Sequence, residues 1–210
     1  MNLIACAGLP RSGSTWLYNV VRLLLSTDGA SVSGAFIDKY DSSDPAEIHV
    51  IKTHEFKPWL AEQANLILAS RRDLRDIVAS LIRKRWISPA QAIDYIGPYV
   101  QHYEFWRSIA VYELVYESMI EDQLQEILTL SEILGVECNS QILERICEAV
   151  AAIGQSERQI GSGWDQETLI HPQHITDGRA GSYQETLDSD LISSINYNFG
   201  DWLKYYGYLS

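Results

Sequence analysis

Little in this 210-residue chain is basic: 16 Lys and Arg stand against 28 Asp and Glu, for a formal net charge of −12. Nucleic acid and anionic membrane surfaces both demand broad positive surface, so neither is expected as a partner. Any anion site must be a local basic cluster. Cysteine is scarce too. Cys6, Cys138 and Cys147 are an odd number without metal-ligand spacing, which excludes a disulfide framework, predicts no metal site and suits reduced thiols in a cytoplasm. Long apolar runs are missing: Met1 to Gly8 is short and has no basic leader, and Arg22 interrupts Val20 to Leu25. Neither a signal peptide nor a membrane span is expected. Repeats and low-complexity segments are also absent, and nothing in the pattern speaks to oligomeric state. What remains is a chain with 46% hydrophobic residues, enough for one substantial core and a single domain over residues 1–210.

The order of apolar segments sets the fold class. Leu3 to Ala7 reads as a buried strand ending at Gly8, and Ser14 to Leu25 as the helix that follows. Ile48 to Lys52 and Leu66 to Ser70 repeat the strand pattern, with an amphipathic helix over Leu74 to Arg85. Val111 to Tyr116 is a further strand. Met119 to Leu134, Asn139 to Ala152 and Leu187 to Tyr205 read as helices. Pro89 to Ala110 is helical in pattern, but Gly97-Pro98 should break or kink it, because proline lacks an amide hydrogen and crowds the preceding turn. This alternation predicts an α/β fold: a three-layer α/β/α arrangement around a central parallel sheet, P-loop-like. Mobile loops are expected at Asp38 to Pro45 and Gly154 to Asp177, where Gly and polar residues cluster.

The first loop carries the strongest chemical signal. Gly8-Leu-Pro-Arg-Ser-Gly13-Ser14-Thr15 has both glycines and the terminal Thr of the G-x-x-x-x-G-K-[ST] phosphate loop, after a strand and before a helix. Such a loop turns backbone amides onto phosphate oxygens, and the next helix aims its unsatisfied amides at the same anion. Ser14 stands where that motif has Lys. No strand end offers the Asp that would share a magnesium ion; His54 and Arg71-Arg72 follow the second and third strands instead. A sulfuryl group carries less charge than a phosphoryl group, so amides and a cation such as Arg11 can serve it without metal.

Pro10-Arg11-Ser12-Gly13-Ser14-Thr15-Trp16 resembles the N-terminal loop of the 3′-phosphoadenosine 5′-phosphosulfate (PAPS) dependent sulfotransferases, approximately Pro-Lys-Ser-Gly-Thr-Thr-Trp. The resemblance implies a 5′-phosphosulfate site on Arg11, Ser12, Gly13, Ser14 and Thr15, with Trp16 stacking on adenine. Arg11 replaces a Lys, keeping charge but donating protons poorly. Lys52-Thr53-His54 matches the family's Lys-x-His, which implies that His54 takes the acceptor proton and Lys52 holds sulfonate oxygens. Glu55 is the reserve base. Arg72 and Ser80, eight positions apart, match the pair that grips the 3′-phosphate, and Tyr116 the strand-end Tyr that approaches adenine. Gly178-Arg179-Ala180-Gly181-Ser182-Tyr183 resembles the late Gly-rich loop over the 3′-phosphate. Its usual basic pair is Thr176-Asp177 here, so binding would fall to Arg179 and backbone amides. Neighbouring Arg75, Arg83, Lys84 and Arg85 read mostly as surface charge. The other histidines, His174 included, read as surface or structural, and His102 with Trp106 as core packing more than pocket lining.

The function implied is in-line sulfuryl transfer from PAPS, leaving 3′-phosphoadenosine 5′-phosphate (PAP), to a hydroxyl or amine of a small-molecule or carbohydrate acceptor in the cytoplasm. The alternatives are a P-loop nucleotide-dependent kinase and a non-catalytic nucleotide-binding protein.

Overall fold

The computed structural model describes residues 2–27, 29–155, 163–171 and 174–210. Part of the Gly154 to Asp177 stretch expected to be a mobile loop therefore lies outside the described residues. Five strands form one parallel sheet: β1 (Asn2–Ala7), β2 (Val32–Phe36), β3 (Ile48–Thr53), β4 (Leu66–Arg71) and β5 (Tyr112–Val115), in spatial order β2-β3-β1-β4-β5. Successive side chains alternate between the faces. Ile4, Cys6, Val50, Leu68 and Leu114 enter one core, while Leu3, Ala5, Ala7, Ile51 and Ile67 enter another on the opposite side.

The helices are α1 (Ser14–Thr27), α2 (Pro58–Gln63), α3 (Leu74–Arg83), α4 (Ala92–Ile109), α5 (Tyr116–Glu121), α6 (Gln123–Leu134), α7 (Ser140–Gln155), α8 (Tyr183–Thr186), α9 (Ser189–Asn198) and α10 (Gly200–Tyr205). Residues of α1, α6 and α7 fill the first core. Those of α3, α4, α9 and α10 close the other face. The expected three-layer α/β/α architecture is present. No helix among the described residues is long and apolar enough to cross a membrane.

Three helix expectations need correction. α4 runs through Pro98 without a break. Proline inside a helix costs about 3 kcal/mol, but Ile96, Val100, Tyr103 and Trp106 of the same helix are all buried, each contributing about 1.5–3 kcal/mol. Met119 to Leu134 is divided because Asp122 stops α5 and caps α6, its carboxylate accepting from the Gln125 amide. Leu187 to Tyr205 is divided at Phe199, whose backbone (φ −123°, ψ 20°) is not helical.

In a parallel sheet all carboxyl ends share one edge. The residues that follow β1, β3, β4 and β5 are Gly8, His54, Arg72 and Tyr116, so the topology gathers the motifs read from the sequence onto a single rim, where open α/β sheets bind ligands.

Candidate active site

A cavity of about 880 Å³ opens on that rim, large enough for a nucleotide with a small second molecule. The loop leaving β1 forms its floor. Gly8 has no substitute there, because a Cβ would lie 2.1 Å from Ser70 Oγ and 2.7 Å from the Ser70 carbonyl. Gly13 turns through φ 83° beneath the Tyr116 ring. Ser12 is fully buried, and its hydroxyl donates to the Leu9 carbonyl at 2.6 Å and pairs with Ser70 Oγ at 2.8 Å. Its side chain therefore braces the loop and does not face the cavity. Ser14, Thr15 and Trp16 line it at the start of α1.

Lys52 and His54 enter from the end of β3. Lys52 is buried, and its ammonium donates to Thr15 Oγ1 at 2.7 Å. Burial, then the charge of Arg11, holds its pKa down to about 7. His54 Nδ1 lies 2.8 Å from the Gly8 carbonyl. A carbonyl only accepts, so Nδ1 carries the proton and Nε2 keeps its lone pair. Burial, with Lys52 next, lowers the imidazole to about 3, and the ring is neutral at physiological pH. Glu55 turns elsewhere: its carboxylate is exposed and paired with Lys57 at 2.7 Å, and it is absent from the cavity wall.

Arg72, between β4 and α3, and Ser80, in the body of α3, are both buried against the cavity. The Arg72 guanidinium lies 3.9 Å above the Tyr116 ring centroid, 3.6 Å from Asp76 Oδ2, and donates to the Arg179 carbonyl at 2.8 Å. Tyr116 is thus a platform for Arg72, its hydroxyl donating to the Gly178 carbonyl at 2.8 Å. Arg11 crosses from the loop, its Nε donating to Ser80 Oγ at 3.0 Å. The loop and the Arg72–Ser80 pair face one space.

Arg179 does not join them. Its guanidinium is exposed and clasped by Asp177 and Glu185, each at 2.7 Å; only its backbone carbonyl reaches the site. Asp76 fastens the late loop instead, accepting from the Gly181 amide at 2.7 Å, the Tyr183 amide at 2.9 Å and the Ser182 hydroxyl at 3.2 Å.

No family model and no curated protein matches the chain in sequence. Solved structures do match. The mouse sulfotransferase SULT7A1 complexed with PAP superposes with a TM-score of 0.73 at 14% identity, covering 96% of this chain and 84% of that one. Retinol dehydratase in complex with retinol and PAP gives 0.67 at 17% identity over 97% and 81%. The same enzyme in complex with androsterone and inactive cofactor PAP gives 0.70 at 16% identity over 97% and 80%. This chain has the PAPS-dependent sulfotransferase fold.

Within that sulfotransferase fold the residues fit an anionic nucleotide. Neither Arg11 nor Lys52 has a carboxylate partner among the described residues. Arg72 Nε and Trp16 Nε1 are buried without a hydrogen-bond partner, a costly state that an acceptor on a ligand relieves. Among the described residues no cluster of His, Cys, Asp and Glu could hold a metal ion.

Several residues in or beside the cavity escaped the sequence reading. Arg83 is not simply surface charge; it donates to Thr186 Oγ1 at 2.6 Å and to Ser182 Oγ at 3.1 Å, with Thr176 Oγ1 3.4 Å from its Nε. His174 lines the cavity, its carbonyl accepting from Arg11 and its ring pushed down to about 2 chiefly by burial. Phe36, Tyr95 and Tyr99 form an aromatic wall, with Phe36 and Tyr99 ring centroids 5.8 Å and 6.3 Å from His54. No short motif marks them; each gains meaning from a neighbour far away in the chain. Trp106, by contrast, is core, its indole donating to the Glu55 carbonyl at 3.1 Å.

Proposed function

We propose that the chain is a sulfotransferase that uses PAPS and modifies a hydroxyl or amine of a small acceptor. One observation carries the reading: the β1 loop, Lys52 with His54, and Arg72 with Ser80 share one cavity at the carboxyl edge of the sheet. PAPS would be held by the loop amides, Ser14, Thr15, Trp16, Arg72 and Ser80, and it supplies a sulfuryl group ready for in-line displacement.

The chain's own residues would then act as follows. His54 Nε2, its tautomer fixed by the Gly8 carbonyl, takes the proton from the attacking acceptor. The charge of a bound anion raises its basicity from the depressed resting value. Lys52, held by Thr15, offers a cation to the oxygens of the transferring group. The aromatic wall excludes water and orients the acceptor beside His54.

Calorimetry with PAP, beside ATP and magnesium, tests the nucleotide. A kinase requires the second pair, and a preference for it would end the sulfotransferase reading. Incubating metabolite extracts with labelled PAPS, and finding by mass the compound that gains sulfate, tests the transfer. A protein that binds PAP yet transfers nothing across such extracts is the non-catalytic alternative.

A further inference from the structure

We propose that Tyr208 is a positioning residue for Arg72, so that seating of residues 206–208 against the corner between β4 and α3 and binding of the nucleotide favour each other. The proposal rests on the sulfotransferase reading and adds to it a contact outside the cavity, which Tyr208 does not line.

The chain reaches that corner by a reversal after α10. Gly207 takes φ 77°, a left-handed conformation that glycine adopts without the steric cost of a Cβ. Its amide bonds the Lys204 carbonyl at 3.1 Å, and the Tyr208 amide bonds the Leu203 carbonyl at 2.7 Å, the paired bonds by which many helices end at a glycine. Leu203 is fully buried. The turn is therefore anchored in the core, and Tyr208 is sent back toward the carboxyl end of β4.

There it holds both flanks of Arg72. On the side before it, Arg71 Nη1 donates to the Tyr208 hydroxyl at 2.9 Å across 137 positions, and the Arg71 guanidinium lies over the Tyr206 and Tyr208 rings, 4.7 Å and 5.6 Å from their centroids. On the side after it, the Tyr208 hydroxyl donates to Glu117 Oε2 at 2.9 Å, while Glu117 Oε1 accepts from the Asp73 amide at 3.0 Å. The Tyr208 carbonyl accepts from Arg75 Nη2 at 2.6 Å, and Arg75 clasps Asp73, the cap of α3, also at 2.6 Å. Glu117 directly follows Tyr116, the ring beneath Arg72. One phenol thus links the residue before Arg72, the residue after it and the neighbour of its platform.

Burial, with Glu117 next, pushes the pKa of that phenol up, so it stays protonated and keeps donating. Arg72 is buried and packed on Tyr116. Its guanidinium has little room to correct a displaced backbone, and its aim follows these supporting contacts. A ligand that needs Arg72 in place favours the seated segment, and by the reciprocity of linked equilibria the seated segment favours the ligand.

Calorimetry with PAP and with adenosine 5′-phosphate, which lacks the ribose-borne phosphate, tests the coupling in the wild-type protein, Tyr208→Phe and Tyr205→Phe, each checked by thermal melting. Tyr208→Phe keeps the ring over Arg71 and loses the hydroxyl. PAP affinity is expected to fall roughly 3- to 10-fold, and that for adenosine 5′-phosphate by less than about 2-fold. Tyr205→Phe, in α10, removes an exposed hydroxyl that accepts from Arg107 at 2.7 Å, and should leave both affinities unchanged. Hydrogen exchange gives the reciprocal measurement: PAP should slow exchange at the Tyr208 and Leu209 amides in the wild type, and less so in Tyr208→Phe. Unchanged PAP affinity in Tyr208→Phe, even with a lower melting temperature, overturns the proposal. So does equal weakening toward both nucleotides, an equal effect of Tyr205→Phe, or exchange at these amides that PAP does not slow. If Tyr208→Phe does not fold, Glu117→Gln gives the same comparison, and an unchanged PAP affinity there counts against the coupling. A wild-type protein without preference for PAP overturns the sulfotransferase reading instead.

Discussion

At the end of the cavity holding Arg11, Arg72 and Ser80, side chains are fixed by partners from distant parts of the chain, whereas the end around His54 is walled by the rings of Phe36, Tyr95 and Tyr99. The first end meets charge with buried charge, and its donors must be in place before an anion arrives, since the low dielectric that strengthens them also penalises any left unpaired. The second end works by shape and apolar contact, which tolerates changes in what it holds. On the proposed sulfotransferase reading, the nucleotide would occupy the end fixed by hydrogen bonds and the acceptor the end walled by rings.

Four measurements sharpen or break that contrast. The largest effect is expected for His54→Ala, which stands at the junction of the halves. Turnover of the acceptor found by labelled transfer should fall about 10²- to 10⁴-fold, while PAP affinity measured by calorimetry stays within about 3-fold. Unchanged turnover would remove His54 as the base.

The second effect is a pH dependence at Lys52, the buried cation that neighbours His54. In the free protein Lys52 is held down to about 7 from an ordinary 10.5. Above pH 7 the folded state thus binds fewer protons than the unfolded one, and this group adds stability as the pH rises from 7 toward 10.5. A bound anion pulls the ammonium back up, so PAP binding takes up a proton in the same window. Affinity should fall roughly 10-fold between pH 7.5 and 9, where the nucleotide phosphates are already fully ionised. Lys52→Met should flatten the dependence; a slope that survives in the variant belongs to another group.

Tyr99→Ala probes the aromatic half. Acceptor KM should rise about 5- to 10-fold for one lost ring contact, with PAP affinity unmoved. An equal loss for both ligands would show that the two ends are not separable. The smallest effect is expected for Arg179→Ala, whose exposed guanidinium pairs, among the described residues, with Asp177 and Glu185. PAP affinity should change by less than about 2-fold, and a larger loss would show that the clasp opens to let Arg179 bind.

The polar side chains of the cavity are also what sequence reveals, while the aromatic wall is not. The β1 loop, Lys52 to His54 and Arg72 to Ser80 are short segments whose spacing is set by one turn, one strand end or one helix, so local rules suffice to read them. Four of the five strands announce themselves as apolar runs for the same reason. β2 does not: Val32-Ser-Gly-Ala-Phe36 is short, interrupted by glycine and recognisable only when paired with β3. Pro98 misleads because the packing around α4 is absent from the local pattern. Thr176 and His174 in the cavity wall, and Asp76 and Arg83 behind it, owe their place to contacts about 90 to 160 positions apart, and no spacing rule reaches that far. Arg179 carries the right charge in a fitting motif, yet two acidic neighbours, one of them two positions before it, claim its side chain.

The three bonds that Asp76 accepts from residues 181–183 all converge on one buried carboxylate. Prising that stretch off α3 would strand the acid beside Arg72 and strip several donors at once, so a half-open arrangement gains nothing over a shut one. That stretch is therefore tied to α3 through a single side chain, and replacing Asp76 would loosen all three attachments together.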